Sequence, residues 1–211
     1  MGKAQTIDYK ICEFERGFKK YLIEDINLVK FIKQGRLTFD EKLLFKHIAS
    51  NIHNIITLSM TNALVDLLEG RHTPYPGNAN SNGYDLVYPS QNHPTIIAEI
   101  KSTEPTNGKF YEQQSKELRE DLKNLMEGKQ DPYVPKDSNA FTDAIKVMIL
   151  LDKEDVKTAY KQLVDKSRSK WLQTNRMNIE IVNDITNFTG RYNGNQLMPD
   201  RIYVVFVMPT R

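Results

Sequence analysis

Asp85, Glu99 and Lys101 are the residues of this chain whose types and spacing could do chemistry. Glu99 and Lys101 fall in the stretch Thr95-Ile96-Ile97-Ala98-Glu99-Ile100-Lys101, which is otherwise apolar. Read as a strand, it turns successive side chains to opposite faces, so Glu99 and Lys101, two apart, share one side. A charge in such apolar surroundings is expensive to desolvate, and something must compensate both. The segment Tyr84-Asp85-Leu86-Val87-Tyr88 reads as a preceding short strand and supplies a second acid. Asp85 and Glu99 together would bind a hard divalent cation such as magnesium through oxygen atoms. Lys101 would offset the remaining negative charge. With its pKa lowered by its surroundings it would also assist a water in attacking a phosphodiester.

The pattern acid-x-Lys is uninformative by itself, because it occurs six times: Asp8/Lys10, Asp40/Lys42, Glu99/Lys101, Asp121/Lys123, Glu127/Lys129 and Asp155/Lys157. Five of the six fall in polar, mostly helical or helix-end contexts where water can solvate both charges. The Glu99 pair alone lies inside an apolar strand preceded by a strand bearing an acid. Its plain alternative is a buried or edge salt bridge with no catalytic role.

The elements that must position these residues follow from periodicity. Phe14, Phe18, Tyr21, Leu22, Val29 and Ile32 recur at helical spacing. Thr38-Phe39-Asp40-Glu41 has the form of a capping box and opens a second apolar pattern that runs from Leu44 to Leu68 and ends at Gly70. Residues 72 to 83 are nearly all turn formers. The strands at Tyr84–Tyr88 and Thr95–Lys101 are expected to pair as a hairpin. Leu118, Leu122 and Leu125 mark one face of a helix from Tyr111 to Glu127, with Gly128 at its stop. A buried strand from Ala144 to Leu151, a helix from Lys153 to about Trp171, and strands at Ile179–Val182 and Ile202–Val207 complete the order. That order indicates an α/β fold, a mixed sheet flanked by helices, with a mainly helical N-terminal region over residues 1–70 and the whole chain as one domain.

On Asn82-Gly83-Tyr84-Asp85-Leu86-Val87 and Ile96-Ile97-Ala98-Glu99-Ile100-Lys101-Ser102-Thr103, with thirteen residues between the two acids, the sequence resembles the PD-(D/E)xK nuclease superfamily. Within it, the resemblance is closest to type II restriction endonucleases. It covers roughly Thr38 to Leu151 and implies that Asp85 and Glu99 ligate magnesium and that Lys101 is the catalytic lysine. Tyr84 stands where the family carries proline. Gln113 and Gln114 have no tyrosine four residues on, which sets the chain apart from the RecB-type branch. Some members add an acid from a preceding helix to the metal shell, and Glu69, just before the approach to Asp85, is the candidate for that place. Its alternative is a surface glutamate at a helix end.

The implied function is magnesium-dependent hydrolysis of phosphodiester bonds in double-stranded DNA at a short specific sequence, by a homodimer making two symmetric cuts. The alternatives are a structure-specific repair or junction nuclease of the same superfamily, and a DNA-binding protein that keeps the fold without cleavage. DNA contact is assigned to two loops. One follows the catalytic strand and offers Ser102, Thr103, Asn107 and Lys109. The other, residues 186–196, offers Arg191, Asn193, Asn195 and Gln196, types that can read base edges. Lys161 to Arg176 carries a local basic excess that a phosphate backbone could use. The four histidines make no metal pair at helical spacing. With 29 basic and 27 acidic residues, the net charge of +2 neither demands nor excludes a polyanion. The one cysteine, Cys12, excludes a disulfide framework or a Cys-rich zinc site and fits a reducing compartment. No apolar run approaches the ~18 residues of a membrane span and the start lacks an apolar signal stretch, so the chain reads as soluble and cytoplasmic.

Overall fold

The structure is a computed structural model that describes residues 56–57, 59–68, 75–76, 83–89, 93–165, 171 and 177–208, with the backbone alone at 75–76. The chain divides into two compact units, Met1–Leu58 and Ser59–Arg211. Of the first, residues 56–57 are described, as helix. The capping box at Thr38–Glu41, the earlier helical pattern and Glu69 lie outside the described residues. The second unit opens with helix at 59–65, in which Met60 and Leu64 are fully buried.

Its centre is a mixed sheet of six strands in the order β1-β2-β3-β4-β6-β5. The strands are β1 (Tyr75–Pro76), β2 (Leu86–Tyr88), β3 (Ile96–Lys101), β4 (Ile145–Leu151), β5 (Ile179–Val182) and β6 (Ile202–Val207). The hairpin expected from sequence is present: β2 pairs antiparallel with β3, Leu86 opposite Ala98. β1 lies within the stretch of turn formers and adds a two-residue edge, where Pro76 costs no interior ladder bond. From β3 onward the sheet is parallel. β4 and β6 are buried along their whole length, which is why they read as unbroken apolar runs.

The helices are α1 (Glu112–Glu127), α2 (Asn139–Thr142), α3 (Glu154–Leu163) and α4 (Ile185–Asn193). α1 is the crossover element between β3 and β4. It packs on β3, β4 and β6 through Leu118, Leu122 and Leu125. Each leucine gains roughly 1.5–3 kcal/mol from burial, enough together to hold against the sheet a helix that also carries a buried acid, Asp121. α4 takes the other face. Phe188 stacks edge-on with Tyr203 at 5.9 Å, and Tyr203 is in register with Val147, on the side away from Glu99. α3 is shorter than the helix expected up to Trp171, because residue 164 leaves helical geometry; most of the basic stretch beyond it lies outside the described residues. The described residues contain no helix long and apolar enough to cross a membrane.

Two lysines show how this sheet handles charge. Lys146, buried in β4, donates to the carbonyls of Phe141 (3.3 Å), Ala144 (3.2 Å) and Pro199 (2.8 Å) and lies over the Phe141 ring. Burial pushes its pKa down, and the carbonyls satisfy its ammonium without an ion pair to any acid among the described residues. Lys129 stands instead just past Gly128, where α1 stops and the chain reverses with φ 81° and ψ 156°, a conformation essentially reserved for glycine. A Cβ on Gly128 would also meet Lys136 Cγ at 2.8 Å. Gly128→Ala is therefore expected to lower unfolding stability by about 1–3 kcal/mol in denaturant titration. A loss below about 0.5 kcal/mol would show that the reversal tolerates a side chain.

Candidate active site

The β2–β3 register places the acids. Leu86 pairs with Ala98, the last rung of the ladder, so Asp85, one residue before β2, lies beside Glu99, close enough to raise its pKa. Lys101 follows on the same face as Glu99 at the end of β3. The ladder ends here because the chain bends at Asp85, whose Oδ2 accepts the Ile100 N–H at 2.8 Å and leaves Oδ1 for other partners. The residue before it is tied down as well: the Tyr84 N–H donates to Asp131 Oδ2 at 3.0 Å. Asp131 Oδ1 in turn accepts from the N–H groups of Tyr133 and Val134, which fixes the loop after α1 against β2.

Two ion pairs close on this face. Lys129 Nζ lies 2.5 Å from Glu99 Oε1, and Lys101 Nζ lies 3.1 Å from Asp121 Oδ2. Lys129 also sits over the Tyr84 ring, 5.1 Å from its centroid, while its backbone N–H reaches the Tyr84 hydroxyl. Yet Glu99 Oε1, Asp121 Oδ2 and the Tyr160 hydroxyl are all buried without a properly directed hydrogen bond among the described residues. The ammonium groups are near enough to attract the carboxylates but off the directions that would satisfy them. With every carboxylate ionised, three acids (Asp85, Glu99, Asp121) face two lysines and the cluster is one positive charge short, a deficit that a proton on Glu99 makes up.

The ionisation of the cluster follows. Burial, reinforced by Asp85, raises Glu99 to about 8 against the pull of Lys129. Burial likewise raises Asp121, outweighing Lys101. At Lys101 burial acts to lower the pKa, but Asp121, Asp85 and Glu99 prevail and hold it above the ordinary lysine range. The condition under which Lys101 would assist a water, a lowered pKa, is not met: the acids around it favour the ammonium. Burial also pushes the Tyr84 hydroxyl up to about 12.

Asp121 and Lys129 are the site residues that sequence reasoning missed. Both belong to acid-x-Lys pairs assigned to solvated contexts, and that assignment is corrected here. Asp121 is only 9% exposed. It falls at helical spacing among Leu118, Leu122 and Leu125, so its place on the buried stripe was available as a signal. Gln113 and Gln114 are used locally, Gln113 bonding Glu117 and Gln114 closing the N-terminus of α1 with Tyr111.

The DNA-contact candidates separate into two groups. Ser102 is buried and Thr103 half-buried directly after Lys101. Asn107 and Lys109 are exposed on a tight turn bridged from Thr106 to Lys109, with Asn107 (φ 52°) and Gly108 (φ 71°) both left-handed. This group stays at the end of the sheet that carries Lys101. Residues 186–196 differ from the expected polar loop: Ile185–Asn193 is helix α4, capped by Asp184, which accepts the Thr186 N–H. Arg191 bonds Glu180 at 2.5 Å and stacks 5.5 Å from the Tyr203 ring. Asn195 lies 2.8 Å from His93, and the Tyr192 hydroxyl donates to the Pro94 carbonyl. Residues 93–94 precede β3, so α4 and the turn after it reach the end of the sheet where β3 begins, while Lys101 stands at the far end of that strand, a rise of about 16 Å from Ile96 at ~3.3 Å per residue. The structure does not bring Arg191, Asn193, Asn195 and Gln196 to the acids.

Among the described residues, no group of three or more His, Cys, Asp or Glu side chains is arranged to hold a metal ion. Magnesium asks for less, since it binds through one or two carboxylates and keeps its waters. Asp85 Oδ1 and the buried, under-satisfied Glu99 carboxylate fit that requirement by donor chemistry. In comparisons with family models, curated proteins and solved structures, nothing matches the chain.

The raised pKa of Glu99 carries a signed consequence. Between about 4.5 and 8 the folded state holds a proton that the unfolded chain has released, so this group's contribution to stability falls as pH rises through that window. Glu99→Gln removes the effect. In metal-free buffer it should raise the melting temperature relative to the parent at pH 8.5 and leave the two much closer at pH 5. Equal differences at both pH values would show that Glu99 titrates normally.

Proposed function

We propose that this chain is a magnesium-dependent nuclease of the PD-(D/E)xK type, a type II site-specific deoxyribonuclease acting on double-stranded DNA. The observation that carries this reading is Asp85, just before β2 and bonded to the Ile100 N–H, beside Glu99, with Lys101 on the same face of β3 as Glu99 at the end of that strand. Asp85 and Glu99 would hold the ion. Bound there, magnesium would lower the pKa of a water and offset phosphate charge. Lys101, kept cationic and oriented by Asp121, would donate a hydrogen bond from Nζ to a phosphate oxygen. Ser102, Thr103, Asn107 and Lys109 would meet the DNA backbone beside it. Two symmetric cuts require two copies, so the working form is a homodimer. The cytoplasm is the compartment that fits such an enzyme.

One observation favours a second reading, a DNA-binding protein that does not cut: Glu99 and Lys101 are both already ion-paired. Incubation with plasmid DNA separates the two. Discrete fragments with magnesium and none with chelator are expected. Asp85→Ala, Glu99→Ala and Lys101→Ala should each lower the rate by several orders of magnitude, and double variants should lose little more, as residues acting as a unit do. A smear would indicate a nonspecific enzyme, and intact plasmid with DNA bound would favour the binding protein. Calcium, with its looser coordination, should tighten binding without cleavage. Affinity unchanged among chelator, calcium and magnesium would remove the metal site from the DNA-facing surface.

A further inference from the structure

We propose that Lys129 is a built-in counter-cation for the metal position, so that a divalent ion gains Glu99 by displacing the Lys129 ammonium. The inference rests on the reading of Asp85 and Glu99 as metal ligands, and it concerns a residue that reading does not use. Lys129 Nζ lies 2.5 Å from Glu99 Oε1, and an ion binding that oxygen at about 2.1 Å would lie at most about 4.6 Å from the ammonium. A divalent and a monovalent cation that close repel strongly in a poorly solvated site, and only one of them can hold the carboxylate.

The two lysines of the cluster differ in what would keep them there. Lys101 is anchored by Asp121, a separate carboxylate, and has no cause to leave when Glu99 changes partner. Lys129 has Glu99 as its only ion-pair partner among the described residues, in a geometry that leaves Oε1 without a directed hydrogen bond. Its backbone is pinned through the Tyr84 hydroxyl and the loop around Asp131. Its side chain is 18% exposed, so a flexible four-carbon stem can carry the ammonium to water while the backbone stays in place. Without metal, Lys129 reduces the cost of the buried Glu99. With metal, that service is redundant.

The test is calorimetric titration of the full chain with manganese and with magnesium, without DNA, so that cleavage plays no part. Lys129→Met keeps an apolar stem over Tyr84 and removes the charge; it should bind either ion about tenfold more tightly than the parent, although less stable when metal-free. Lys129→Arg, whose guanidinium can grip the Glu99 carboxylate with two bonds, should bind metal more weakly than the parent. Glu99→Gln should abolish the signal. If the parent binds metal in a Glu99-dependent way and Lys129→Met is equal or weaker, Lys129 is a structural residue and the proposal falls while the metal site stands. Should Lys129→Met fail to fold, unchanged affinity in Lys129→Arg overturns the proposal by itself. If neither parent nor variants bind metal, the proposal falls together with the metal reading.

Discussion

A carboxylate with 2% exposure inside an apolar strand is the constraint around which this site is organised. Glu99 cannot be solvated, and removing a carboxylate from water costs several kcal/mol unless it is protonated, paired or coordinated. Two of the three remedies leave a mark. The raised pKa marks protonation and Lys129 marks pairing, while the neighbouring Asp85 is what the proposed coordination would account for, because a second acid worsens the first unless a cation joins them. Lys146 is handled differently, satisfied by three carbonyls with no ion pair to an acid among the described residues.

The surrounding fold supplies what the constraint demands. The ladder ends at Asp85 so that its side chain, and not another rung, bonds the Ile100 N–H. α1 is pressed to the sheet by leucines and brings Asp121 to Lys101. Gly128 ends that helix and reverses the chain, and Asp131 ties the following loop to Tyr84, which sets Lys129 beside Glu99. Three acids and two lysines remain; with Lys129 displaced to water, a divalent ion and Lys101 would balance the three acids and remove the negative charge that would repel a phosphate.

Much of this was legible in the sequence because it is governed by local periods. Alternation placed Glu99 and Lys101 together, and the hairpin brought an acid beside them. The α/β sheet, with β4 and β6 as buried runs, followed from their apolar continuity. Asp121 was legible too, from its place among Leu118, Leu122 and Leu125, but a count of acid-x-Lys pairs weighed its neighbour Lys123 and not its stripe. α4 is a similar case: Ile185, Phe188, Thr189 and Tyr192 recur at helical spacing behind the Asp184 cap, beneath a polar composition that suggested a loop. Lys129 was not legible. Its position depends on a glycine conformation and on a bond between Asp131 and Tyr84, 47 residues apart, which no local period encodes.

The central claim is that Asp85 and Glu99 form a cation site on the end of the sheet. Anomalous scattering from a crystal of the protein soaked in manganese tests it most directly. The predicted result is one strong peak bridging Asp85 and Glu99, with Lys101 still on Asp121. A crystal in which manganese binds elsewhere, or nowhere, while Glu99 keeps Lys129 at its carboxylate would contradict the claim and make the cluster a structural ion-pair network.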